Sequence, residues 1–178
     1  MILNERENRR ERMQDAVRQI MAAGRTAPKG KGVDNIEIIT LMDEHIGQLS
    51  QAMREASEEN GMKFFLRDAD NIMQAEAVIL VGAKTLPMGL NCGYCGHPTC
   101  ADRNAHPEVP CALNMVDLGI ALGSMTAMAA DLRIDNRVMF SAGIAALRMG
   151  LLKECHAVFA VPLSISSKNP FFDRQSTR

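Results

Sequence analysis

Four cysteines, Cys92, Cys95, Cys100 and Cys111, follow one another as C-x2-C-x4-C-x10-C, and the first three lie in the stretch NCGYCGHPTC. Four thiolates suit either tetrahedral zinc or an iron–sulfur cluster, because both accept soft sulfur donors. Structural zinc usually takes two separated C-x2-C pairs, each a tight turn on one ion, and here the third and fourth cysteines are not paired in that way. The wider wrap favours the wider object, a cluster. Gly93 and Gly96 lack Cβ atoms and let backbone N–H groups approach an anionic centre. Cys111 follows Pro110 and opens a helix, so its contact falls near the positive end of a helix dipole. Zinc pinning a loop is the alternative for the same four residues.

The other candidates are weighed against that set. His97 and His106 sit among the cysteines, but four thiols already complete a site, so both are expected to be solvent-facing loop residues that tune it. Cys155 stands apart, between a helix and a strand, and reads as an inert structural thiol. The chain has 5 cysteines, an odd number and tightly clustered, which in a reducing compartment argues for metal and against disulfides.

The elements that position these residues show in the periodicity. Met13, Val17, Ile20 and Met21 mark one face of a helix from Glu5 to Gly24. A loop of glycines, cations and a proline follows over 24–35. IEIIT at 36–40 reads as a strand, and EHIGQLSQAMREASEENG as a helix stopped by Asn-Gly. AEAVILVGA, 75–83, is a continuous apolar strand of the kind covered on both faces. A long helix runs from Cys111 to about Ile134, with Gly119, Gly123 and Ala127 in a smooth stripe that either packs on a helix or admits a flat ligand. NRVMF is a short strand, SAGIAALRMGLL a helix, and HAVFAVPLS a last strand broken by Pro162. Strands alternating with helices imply one layered α/β (α+β) domain over 1–178, a sheet core with flanking helices. The long connection from Lys84 is read as an inserted iron–sulfur module over 84–111.

The 178 residues, enough for one buried core, carry 20 basic and 21 acidic side chains, so no global field gathers nucleic acid or an anionic membrane. With no Trp and 1 Tyr, base stacking is not expected either. MILNERENRRERMQD is charged throughout, so no secretory signal is expected and the protein is placed in the cytoplasm. Residues 111–130 are apolar, but Asn114 and Asp117 lie inside them, and a core helix is expected there, not a membrane span. Nucleophile-elbow, phosphate-loop, His-Glu-x-x-His and C-x3-C-x2-C motifs are absent from the sequence. Hydrolysis, phosphotransfer and radical S-adenosylmethionine chemistry therefore have no support.

CGYCGHPTCADRNA resembles the C-x2-C-G-x3-C core of the four-cysteine [4Fe-4S] modules of corrinoid iron–sulfur proteins and electron-transport complex subunits, whose fourth cysteine usually lies further on. The whole chain, from GRTAPKGKGVDN through the cysteines to DNRVMFSAG and PLSISSKNPFFDR, resembles a family of uncharacterised proteins containing a ferredoxin domain. That resemblance implies cluster binding at Cys92, Cys95, Cys100 and Cys111 and assigns nothing catalytic. AAGRTAPKGKGVDNIEIITL is also similar in order to the segment of nitroreductases where an Ala-Pro-Ser loop leads to a regular element, although their Arg-Arg-Ser-x-Arg phosphate signature is missing. This second resemblance implies FMN. Its phosphate would meet Arg25, Lys29 and Lys31 around Gly30 and Gly32, unless these form a plain solvated loop. Ser141 and Gly143, at the start of a helix, are a second candidate anion site.

The expectation is an iron–sulfur redox protein with one [4Fe-4S] cluster, FMN as a second cofactor, and a redox partner protein or small electron acceptor. A homodimer is left open, as is oxidoreductase catalysis. The alternatives are a zinc-stabilised interaction module and a redox or metal sensor.

Overall fold

The middle strand of the protein is buried along all but its last residue: β2 (Ala77–Lys84) reads AVILVGAK. Successive strand side chains point to opposite faces. Accordingly Ala77, Ile79, Val81 and Ala83 enter one core cluster, and Val78 and Leu80 enter another. The computed structural model describes residues 1–172, so Asp173 and Arg174, the end of the PLSISSKNPFFDR stretch, lie outside the described residues.

The sheet has the order β1-β2-β4-β3, and every pairing is antiparallel. β1 (Ile36–Leu41) sets Ile36 opposite Ala83, and β4 (Cys155–Ser164) sets Leu163 opposite Ala77. β3 is only Asp135–Asn136. The strand expected over NRVMF is thus shorter, with one further bridge where Met139 exchanges N–H···O bonds with Ala160.

Pro162 does not break β4. Ala160 turns its N–H and C=O toward Met139, so by the alternation of antiparallel ladders Pro162 turns its ring nitrogen the same way. It falls between the Asn136 and Met139 pairings, where no ladder bond needs an N–H.

Helices cover both faces. On one lie α1 (Glu5–Thr26) and α5 (Ala112–Asp131), which contribute Met13, Val17, Ile20, Leu118, Leu122 and Met125 to the first cluster. On the other lie α2 (Glu44–Asn60), α3 (Phe64–Ile72) and α6 (Phe140–Arg148). Burying a side chain such as Ile79 stabilises the fold by about 1.5–3 kcal/mol.

Gly24 does not end α1 as expected; it is buried inside the helix, where a Cβ would lie 2.7 Å from Met125 Sδ, so glycine lets α1 and α5 approach. The helix stops at Thr26, because Ala27 precedes Pro28 and must be extended. α6 ends before the expected Leu152 because Gly150, at φ 77°, closes it: Leu151 N–H reaches Ala146 O and Gly150 N–H reaches Leu147 O.

α5 is long and apolar enough to cross a membrane by length and composition. One face packs on the sheet, around Leu118, Leu122 and Met125. The other presents Val116, Gly119, Ile120, Gly123 and Ala127 outward. Among the described residues, the small-residue stripe therefore meets neither another helix nor a strand: nothing lies within 4 Å of a Cβ built at Gly119 or Gly123.

Candidate metal centre

The cysteine segment leaves the sheet where β2 ends, and Asn114 of α5 fixes that exit. Fully buried, it donates to the carbonyls of Lys84 at 3.1 Å and Leu86 at 2.6 Å, and accepts from Asn35 at 3.4 Å. Beyond it the backbone turns repeatedly through the left-handed region, at Asn91 (φ 49°), Gly93 (φ 72°) and Gly96 (φ 85°). Asn91 then holds Cys100 twice: its Oδ1 accepts the Cys100 N–H at 2.8 Å, and its own N–H donates to Cys100 Sγ at 3.4 Å. Cys100 opens the short α4 (Cys100–Asn104), which is capped by Thr99 and Asp102 in a reciprocal capping box.

Cys111 is the N-cap residue of α5, as its place after Pro110 predicts, and no side chain caps that end. The free N–H groups of the first turn give it partial positive charge. Cys92, Cys95, Cys100 and Cys111 all line one cavity, together with Arg103. Cys111 is buried, Cys95 and Cys100 are half-buried and Cys92 is exposed. The cavity they line is small, about 10 Å³, roughly the room of one water. Among the described residues, no three His, Cys, Asp or Glu side chains converge tightly enough to grip a single ion.

Arg103 is the residue in this cavity that the sequence did not mark. It is 4% exposed, donates from Nε to Val109 O at 2.7 Å, and has a buried Nη2 without a hydrogen-bond partner among the described residues. A guanidinium does not lose its proton, so a buried one demands nearby negative charge. Four thiolates around a metal group would supply it. The donor set and the orphaned cation therefore fit an anionic thiolate centre.

His97 and His106 stack with ring centroids 4.9 Å apart. His106 is exposed, as expected, and lies 3.4 Å from Glu108. His97 differs from expectation: it is half-buried and lines the cysteine cavity.

The basic loop adjoins this centre. Lys31 Nζ donates to Met88 O at 3.1 Å, and a Cβ at Gly30 would touch the end of Met88 at 3.3 Å. The three cations differ sharply in availability. Lys29, with its side chain 6% exposed, donates to the carbonyls of Gly24 and Arg25 and so caps the C-terminus of α1. Arg25 Nη1 is held by Asp34 at 2.6 Å and by Ile36 O at 2.7 Å, yet its side chain is 46% exposed. Burial alone would raise the Asp34 carboxyl, but the Arg25 hydrogen bond, the Ile36 N–H and the Lys29 charge together hold it below its ordinary value.

Ser141 and Gly143 are placed in packing. Ser141 is fully buried and donates to Asp68 at 2.7 Å, while a Cβ at Gly143 would lie 1.8 Å from Val158 O, leaving no room for a ligand. Cys155 is buried at the start of β4. Desolvation and the nearby Glu37 charge push its thiol up to about 11, against the pull of Lys84, in keeping with an inert role.

The fold is similar to that of a nitroreductase with bound FMN from Bacteroides fragilis, at TM-score 0.61 and 12% identity over 92% of this chain and 83% of that one. A BluB-like flavoprotein from Clostridium difficile 630 gives TM-score 0.56 and 18% identity over 92% of this chain and 84% of that one. Likeness at such identities is one of fold. An uncharacterised protein of Archaeoglobus fulgidus is 41% identical over 182 residues, covering 98% of both chains. Residues 108–174, which include Cys111, match the family described as uncharacterised proteins containing a ferredoxin domain, and this chain belongs to that family.

Proposed function

We propose that the protein is an iron–sulfur redox protein in which Cys92, Cys95, Cys100 and Cys111 hold one [4Fe-4S] cluster. The observation that carries this reading is the shared cavity of four thiols and a buried, partnerless guanidinium nitrogen. Such a cluster supplies one-electron transfer. The chain's own residues do the rest: the Asn91 N–H points at Cys100 Sγ, and Cys111 sits at the positive end of the α5 dipole, so both sulfurs have a donor or a dipole aimed at them. Cys92 is exposed, with Leu90 and Tyr94 exposed beside it, so the centre meets the surface where an electron donor or acceptor docks. A reducing cytoplasm is the compartment that keeps these thiols available.

FMN is the second cofactor we propose, because the Bacteroides fragilis structure of the same fold contains it. A flavin exchanges electrons singly or in pairs. Arg25 and Lys31, both exposed, would meet its phosphate, while Lys29, Ser141 and Gly143 are engaged inside the fold.

Purification without oxygen tests the first part. Brown protein with iron and acid-labile sulfide supports the cluster, and colourless protein with stoichiometric zinc overturns it. Titration of the same protein with FMN tests the second: quenching of flavin fluorescence that is lost in Arg25→Ala/Lys31→Ala supports the flavin, and no quenching at high micromolar FMN removes it.

A further inference from the structure

Arg103 carries more charge into the interior than its fold contacts use. Its Nε bond to Val109 O at 2.7 Å holds the turn after α4, which needs one N–H. Its Nη2, buried and without a partner among the described residues, belongs to a side chain that lines the cysteine cavity. Burying a cation without compensation is among the costliest placements a fold can make, and arginine cannot escape it by deprotonation. The groups that share its cavity and become negative on metal binding are the thiols.

We infer that Arg103 is the internal cation of the centre: its Nη2 N–H donates to a sulfur of the bound cluster, and its charge raises the cluster's reduction potential. This rests on the iron–sulfur reading above. Reduction adds one electron, supplied by an external donor, and sets one more negative charge against the guanidinium. The cation therefore favours the reduced state, as hydrogen bonds to cluster sulfur also do. Arg103 is a positioning and tuning residue, so its effect shows in the potential of a fully loaded centre.

The test compares full-length wild type, Arg103→Gln and Arg103→Lys, each loaded anaerobically, assayed for iron and sulfide, and titrated with dithionite through mediator dyes. Arg103→Gln with full iron and sulfide should need a lower potential for half-reduction, with at least a tenfold change in the oxidised-to-reduced ratio, which is 59 mV for one electron. Arg103→Lys, which keeps the charge and loses the fork, should fall between. An unshifted midpoint in fully loaded Arg103→Gln overturns the inference and leaves the cluster assignment standing; wild type without iron and sulfide overturns the cluster assignment instead. Should Arg103→Gln fail to fold or load, pulsed electron paramagnetic resonance of reduced wild type labelled with 15N-arginine decides. A 15N coupling to the cluster that disappears in Arg103→Lys supports the contact, and its absence from wild type overturns it.

Discussion

Both carboxylate oxygens of Asp117 accept the Gly30 N–H, each at 3.0 Å, so the loop after α1 is pinned to α5 by a buried charge. The same helix starts at Cys111, which places the basic loop and the cysteine centre on one support. Asp117→Asn exchanges one accepting oxygen for an N–H₂ group and removes the charge. It should destabilise the protein by about 1.5–3 kcal/mol in urea unfolding. Trypsin should also cut after Lys29 or Lys31 faster than in wild type. Unchanged stability and cleavage would mean that the Lys31 contact with Met88 holds the loop by itself.

The five thiols should react in an order set by exposure and pKa. In metal-free protein at pH 8, iodoacetamide should label exposed Cys92 first and Cys155 last. With its pKa near 11, Cys155 is thiolate in about one molecule per thousand at that pH, and its side chain is buried as well. Peptide masses after timed quenching give the order. Labelling of Cys155 as fast as Cys92 would contradict both its burial and its raised pKa.

What the sequence made legible was what repeats. The apolar run of β2 and the helical spacing of α1, α2 and α5 placed those elements within a few residues, because burial against both faces of a sheet leaves a strong pattern. α3 is hard to see in the sequence although Phe65, Ala69 and Ile72 carry a helical spacing, since the segment is short and follows directly on the Asn-Gly stop of α2. Pro162 looks like a break in the sequence because its missing N–H matters only where a ladder partner faces it, and the outer pairing leaves a gap there. At the candidate site, the spacing drew attention to four cysteines that the fold brings to one cavity. Arg103 was invisible, because an arginine in ADRN looks like any solvated charge until the chain folds back over it. Asn114 and Asp117 did stand out as polar residues in an apolar helix, and the structure gives their reason: one holds the end of β2 and the other holds Gly30. For Lys29 the sequence showed a cation but not that α1 would run two residues further and claim it as a cap.

Asp34 predicts a small acid-sensitive contribution. Its folded pKa lies below the ordinary carboxylate value, so the stability it adds is present at neutral pH and is lost as pH falls through the range near 4 and below. With Asp34 39% and Arg25 46% exposed, solvent screens the pair, and about 0.5 kcal/mol is the expected size. Asp34→Asn should cost that amount at pH 7 and nothing at pH 2.5, measured by urea unfolding at both. An equal loss at both would show that the carboxylate charge is not what the side chain contributes.

Cluster loading should order one segment and leave the sheet unchanged. The core that holds β1, β2 and β4 is built from Ile36, Ile79, Val161 and their neighbours, none of which lies between Lys84 and Pro110. Asn114 and Lys31 anchor the start of that stretch at Lys84, Leu86 and Met88, but from Asn91 onward the side-chain bonds are local, Asn91 to Cys100, Thr99 to Asp102 and Arg103 to Val109, so little holds that part without its guest. Hydrogen exchange of metal-free and loaded protein should therefore differ mainly at residues 84–111, with β2 and β4 equally protected in both. Replacing Cys92, Cys95, Cys100 or Cys111 by Ser should lower iron content and leave loaded-state exchange in that segment close to that of the metal-free protein, whereas Cys155→Ser should keep the visible spectrum. A metal-free protein whose sheet amides exchange as in an unfolded chain would make the centre part of the main core, and bleaching by Cys155→Ser but not by Cys111→Ser would assign the fourth ligand elsewhere.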